Sequence, residues 1–213
     1  MTDRHRNVVV WSGGADSTAL LDWYASTSSK ATPTLALSIA SHPYLHKDSV
    51  KAQNTAQEAY LKYARRKGYH IQHKIVKVSG KFDWGGPTSG TAQSIVWLFA
   101  IAQVLQDDDI VLMGYIRKDD FWHYRDKFVA LFDAMCAYKD VKAKIQFPLE
   151  WDTKSEVIGR LRNAKVPNKC WTSCDNYKGK KPCGVCSKCI TLKEACEGYE
   201  ATKLSYDQEI CKK

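Results

Sequence analysis

The chain of 213 residues has no apolar run near the length of a membrane span, so no membrane-spanning helix is expected within it. Its start, Met1-Thr2-Asp3-Arg4-His5-Arg6, lacks the apolar core of a signal peptide, so the expected location is cytoplasmic. No internal repeat, low-complexity tract or additional RNA-binding segment interrupts the sequence. Acidic residues are in deficit. The 23 Asp and Glu against 32 Lys and Arg leave a formal charge of +9, which fits an acidic partner such as ATP, another nucleotide or RNA. Short basic groups at Lys62, Arg65, Arg66, Lys67 and at Lys178, Lys180, Lys181 read as solvated helix faces or loops ahead of a nucleic-acid stripe. The hydrophobic content of 44% supports one substantial core, expected as an α/β domain over residues 1–165 with a cysteine-rich lobe over 166–213 packed on it.

Against these absences stands Ser12-Gly13-Gly14-Ala15-Asp16-Ser17, placed where the apolar strand Val8-Val9-Val10-Trp11 gives way to a helical pattern. Two glycines allow a sharp turn and close backbone approach, Ser12 and Ser17 add hydroxyl donors, and the new helix presents its positive end to an anion. A Walker P-loop needs a lysine that this stretch lacks. The pattern Ser-Gly-Gly-x-Asp-Ser resembles the signature of the PP-loop ATP pyrophosphatases, which cleave ATP to AMP and pyrophosphate.

Apolar segments at 35–39, 71–78, 110–113 and 145–149 alternate with helical periodicity around Leu20, Tyr60, Leu98, Phe128 and Val157. Asp48 or Ser49 can cap the second helix, and Thr153-Lys154-Ser155-Glu156 has capping-box spacing. The expected fold is α/β: a Rossmann-like, mainly parallel sheet with helices on both faces. Ligands in such sheets gather at the strand carboxyl ends, where the cradle, Ser38, the polar glycine-rich loop 79–91 and Gly114 would meet.

Cys174, Cys183, Cys186 and Cys189 have the spacing C-x8-C-x2-C-x2-C in a lysine-rich, turn-rich segment, which suits tetrahedral thiolate coordination of zinc. An iron-sulfur cluster uses the same four ligands, and spacing does not separate the two. Cys170 is near enough to compete as a ligand, while Cys136, Cys196 and Cys211 read as ordinary thiols.

Cradle and cysteines together resemble the 7-cyano-7-deazaguanine synthase family. Asp120-Phe121 and Arg125-Asp126-Lys127-Phe128 after Gly114 match its acidic-aromatic and Arg-x-x-Phe segment. Phe147-Pro148-Leu149 with Lys154-Ser155-Glu156-Val157, and Trp171-Thr172-Ser173-Cys174, match further segments. Ser41 to Lys47 and Thr91-Ala92-Gln93-Ser94 depart from the family pattern at places expected to meet substrate.

The resemblance implies that a deazapurine carboxylate attacks the α-phosphorus of ATP, that ammonia then forms an amide, and that a second activation leaves a nitrile. It implies magnesium on the pyrophosphate, a structural zinc and a homodimer. A divergent branch would deliver the carboxylate to a protein or other amine, and the alternatives are a tRNA-modifying PP-loop ATPase or a non-catalytic nucleotide-binding subunit. Ser12, Gly13, Gly14, Ala15 and Ser17 are the pyrophosphate candidates, with Asp16 either holding magnesium through water or capping the helix. Lys154 is a phosphate contact by resemblance. Arg125 suits phosphate or a substrate carboxylate, or else pairs with Asp126 or Asp120, and Asp120 suits a purine-like N–H donor. Phe121 and Trp122 either stack on a flat base or pack in the core, and His42 and His46 are candidate bases at the sheet edge.

Overall fold

The short apolar run Asn7–Val10 forms β1 and feeds the helix α1 (Ala15–Ser26). In order follow β2 (Thr34–Ile39), α2 (Lys47–Arg66), β3 (Ile71–Val76), α3 (Gly90–Ala102), β4 (Ile110–Met113), α4 (Arg125–Lys139), β5 (Lys144–Gln146), α5 (Lys154–Asn163) and α6 (Ser187–Ile210). The computed structural model describes residues 5–40, 47–78, 90–179 and 181–210. His42, His46 and Cys211, and all but the last two residues of the glycine-rich loop 79–91, lie outside the described residues.

All neighbouring strands run parallel in the order β3-β2-β1-β4-β5. The chain builds outward from β1 to β3 and then crosses back to start β4 on the other side of β1. The loops leaving β1 and β4 therefore diverge, and the crevice between them opens at the strand carboxyl ends.

The sheet is covered on both faces, as parallel pairing with helical crossovers requires. Val8 and Val10 of β1 turn toward α3 and α4, packing with Leu37, Met113, Trp97, Phe128 and Phe132. Their alternating partner Val9 and the following Trp11 turn the other way, toward Leu20, Tyr60, Ile158 and Leu161 of α1, α2 and α5. β3 departs from its expected apolar register. It is an edge strand, and Ile75 is 56% exposed. The capping box at α5 is present: Thr153 Oγ1 accepts from the Glu156 N–H, while Glu156 reaches back to the Thr153 N–H. No helix among the described residues is long and apolar enough to cross a membrane.

Candidate functional site

The cradle is held closed by its own hydroxyls. Ser17 Oγ accepts from the Ser12 N–H at 3.2 Å and lies 3.0 Å from Ser12 Oγ, and Ser12 Oγ in turn accepts from the Gly14 N–H at 3.2 Å. Gly13 has φ +82°, and a Cβ there would stand 3.0 Å from Gln57 Cγ, so glycine is required twice over. Gly14 is the N-cap of α1 without a side-chain cap. The Asp16 and Ser17 N–H groups in the first turn have no intrahelical acceptor, which is the arrangement that binds anions. Gly114 serves by close approach, since a Cβ on it would sit 3.1 Å from Ser17 N and 3.2 Å from Ser17 Cα.

From behind, the cradle hangs on Trp11, which is fully buried and donates from Nε1 to Thr18 Oγ1. The Trp11 carbonyl accepts from Ser38 Oγ at 2.9 Å and from Gln57 Nε2 at 3.2 Å, while His73 Nε2 lies 3.0 Å from the same Ser38 hydroxyl. Burial lowers the His73 pKa, which keeps this network neutral.

Lys154, the first residue of α5, reaches across 138 positions of sequence and donates to both Asp16 oxygens at 2.7 and 2.6 Å. Asp119 stands nearby in a turn closed by the Asp119 N–H on the Ile116 carbonyl and by the Ile116 N–H on Asp119 Oδ2. Burial pushes its carboxyl up to about 6, with the Asp16 charge adding to this and the Ile116 N–H and Lys154 opposing it.

These groups line a cavity of about 310 Å³ at the switch point of the sheet. Val10, Trp97, Met113 and Tyr115 give it an apolar side, and Ser12, Gly14, Asp16, Ser17 and Lys154 give it the anion-binding side. Its third wall comes from the cysteine segment: Thr172 to Asp175, with Ser187, Lys188 and Thr191 of the first turns of α6. That wall is bonded to the cradle itself. The Ala15 N–H donates to the Thr172 carbonyl and the Thr172 N–H to the Gly13 carbonyl, both at 3.0 Å.

The four cysteine sulfurs all lie within 4.8 Å of one another, with Cys174 Sγ 3.6 Å from Cys183 Sγ and 4.0 Å from Cys186 Sγ. A tetrahedral ion at a metal–sulfur distance of about 2.3 Å sets its sulfurs about 3.8 Å apart, so these residues fit a single ion. Backbone N–H groups of Val185 and Cys186 point at Cys183 and lower its thiol to about 6, while burial raises the thiols of Cys174 and Cys189.

Ser12, Gly14, Ala15, Asp16, Ser17, Gly114, Asp120 and Lys154 thus converge on one cavity. Gly13 shapes the loop without lining the cavity, and Ser38 is spent on the buried network behind it. Arg125 does not line the cavity either. It lies over the Trp122 and Phe147 rings and 3.8 Å from Glu150, a partner the sequence did not suggest.

Four readings resolve. Asp16 does not cap α1, because its carboxylate is bound by Lys154. Phe121 is 1% exposed and stacks on Tyr115 with centroids 3.8 Å apart, so it packs the core, and Trp122 is anchored through Nε1 to the Ile116 carbonyl. Cys170 is fully buried in the core and stands outside the four-sulfur cluster. Asp48 and Ser49 tie the cysteine segment down: Asp48 accepts from the Gly179 N–H, and Ser49 Oγ donates to the Asp175 carbonyl at 2.6 Å. Asp119, Thr172 and Lys188 were missed as site residues. Asp119 carried a signal in its adjacency to Asp120, and Lys188 in its place between two cysteines of the candidate metal cluster.

A family model described as Queuosine biosynthesis protein QueC matches residues 93–200, just over half of the chain. No curated protein matches. Among solved structures, the U34-tRNA thiolase NcsA from Methanococcus maripaludis, determined with its 4Fe-4S cluster, aligns at 14% identity and a TM-score of 0.49. The alignment covers 93% of this chain and 66% of that one, so the chain spans 66% of that protein's length.

Proposed function

The chain belongs to the family of queuosine biosynthesis protein QueC, and from that premise we propose that it is an ATP-dependent carbon–nitrogen ligase that activates a deazapurine carboxylate. The substrate we assign is 7-carboxy-7-deazaguanine or a close relative. One observation carries the reading: a preorganised anion cradle at the N-terminus of α1, with Lys154 beside it, lines the same cavity as an apolar wall and a set of carboxylates.

In this reading the pyrophosphate lies on the Asp16 and Ser17 N–H groups and the Ser12 and Ser17 hydroxyls. Lys154 is placed to turn from Asp16 to the phosphates, and the Asp16 carboxylate so freed would hold a magnesium ion, which would offset charge on the pyrophosphate. The cavity's four carboxylates, Asp16, Asp119, Asp120 and Asp175, outnumber its two lysines, an excess of negative charge that a magnesium ion on the phosphates would offset. The substrate carboxylate forms a bond to the α-phosphorus as the bond to pyrophosphate breaks. Ammonia then attacks the acyl carbon, AMP leaves with one former carboxylate oxygen, and the amide remains. The protein's contribution is alignment and fixed donors. Asp120 receives an N–H donor of the heterocycle.

For the cysteine cluster we propose zinc. A closed site of four thiolates leaves no open coordination position, so its contribution is structural. The thiolates of an iron-sulfur cubane each bind a different iron and are spread wider than the sulfurs of this cluster. Purified protein should be colourless with about one zinc per chain; a brown iron chromophore would overturn the assignment.

The catalytic reading is tested by supplying magnesium, ATP, ammonium and 7-carboxy-7-deazaguanine and following AMP and product mass. AMP with amide or nitrile is expected. AMP formed only when a protein amine replaces ammonium would favour the conjugating branch, and no AMP with any acceptor would sink the enzyme reading.

A further inference from the structure

Two Lys–Asp pairs face the cavity, and the proposed reaction has so far used one. Lys154 pairs with Asp16 at the cradle; Lys188 pairs with Asp175 at 3.0 Å on the wall formed by the cysteine segment. Among the described residues these are the two cations that line the cavity. We propose that Lys188 is a specificity-determining residue that holds the carboxylate of the heterocyclic substrate, so that the end of the cavity beside the cysteine cluster is the acid-binding end. The inference rests on the ligase reading.

Adenylation brings an anionic carboxylate up to an anionic α-phosphate inside a cavity that already presents four aspartates. Like charges at such range repel, and a cation beside the nucleophile, in addition to magnesium on the phosphates, lowers that cost. Lys154 is committed to the phosphates by its position at the start of α5 beside Asp16. Among the described residues lining the cavity, Lys188 is the remaining cation. Its ammonium has three donors, of which Asp175 Oδ1 takes one, and its side chain is 53% exposed, so it can turn to a ligand without leaving an unpaired buried charge.

The base of this pair is fixed from both sides. Lys188 sits in the first turn of α6 between the ligands Cys186 and Cys189, and the Asp175 backbone is fastened to Ser49 of α2. The same cavity is lined by Val10, Trp97 and Met113, an apolar surface suited to the face of a flat ring, with its carboxylate held by Lys188.

The test measures binding of 7-carboxy-7-deazaguanine and of its neutral carboxamide by calorimetry, with magnesium and a non-hydrolysable ATP analogue present. Wild type should prefer the acid. Lys188→Met should weaken acid binding by about 10- to 100-fold, the usual worth of a hydrogen bond to a charged group, and leave the carboxamide unchanged. Lys188→Arg should restore part of the preference, and Asp175→Asn should tighten acid binding by freeing the lysine. Zinc content and thermal unfolding, measured on each variant, report damage to the metal lobe. A Lys188→Met variant that binds both ligands as wild type does, or weakens both equally, overturns the inference, as does a wild type that binds neither. Acid-selective binding lost in Lys188→Met but without AMP release in the wild type would sink the ligase reading alone. AMP release with unaltered acid affinity in Lys188→Met would sink the inference alone.

Discussion

Lys154 and Asp16 hold each other across the mouth of α1, and the consequence for turnover is specific. Lys154→Met removes the cation assigned to the phosphates and should lower kcat/KM for ATP by 10²- to 10³-fold, an order typical of losing one charged phosphate contact. A loss under threefold in a steady-state AMP assay would contradict that assignment. Gly114→Ala pushes a methyl against the backbone of Ser17, and the crowding should cost about 1–3 kcal/mol of stability together with ATP affinity; unfolding with and without nucleotide reads both. Asp22 gives a pH signature away from the site. Burial raises its carboxyl to about 6 despite the hydrogen bond donated by Tyr60, so the folded state holds the proton more tightly than the unfolded chain does. The stabilisation from this proton is complete below about pH 4 and is lost as pH rises through 6, a change on the order of 3 kcal/mol at neutrality. Asp22→Asn should flatten this slope relative to wild type between pH 4 and 7 in urea unfolding. Parallel slopes would show that Asp22 does not titrate in that window.

Elements explain how far the sequence could be read. The strands were legible because β1, β2 and β4 are covered on both faces and so are nearly continuous apolar runs, and α5 announced its start through Thr153 and Glu156. What escaped was partnership over distance. Nothing local in Asp16 points to Lys154, and nothing in Ser38 reveals that Gln57 and His73 converge on its hydroxyl. Phe121 carries the same ring whether it stacks on a ligand or on Tyr115, and only the fold decides. The cysteine segment was legible as a candidate metal site because four closely spaced thiols are chemically distinctive. That the segment also walls the cavity and bonds to Gly13 and Ala15 was not. This joint yields a prediction for the element as a whole. Stripping the proposed zinc should loosen the chain from about residue 172 onward and weaken ATP binding at least tenfold, because Thr172 would no longer brace the cradle. Hydrogen exchange and nucleotide titration on chelated protein would check this, and full ATP affinity in the metal-free protein would refute the bracing role.

For the whole molecule, family membership, the parallel sheet with its switch point between β1 and β4, and a cavity with an anion-binding side and an apolar side support one chemistry. Departures from the family pattern at 41–47 and 91–94 bear on which acid and which amine are used, and the activation of a carboxylate at the α-phosphorus is the claim common to the ligase and conjugating readings. Isotope labelling tests that claim directly. With 7-carboxy-7-deazaguanine carrying ¹⁸O in both carboxylate oxygens, magnesium, ATP and ammonium, AMP should bear one ¹⁸O, because the oxygen that attacks phosphorus departs with AMP. Unlabelled AMP, or ADP in its place, would contradict it.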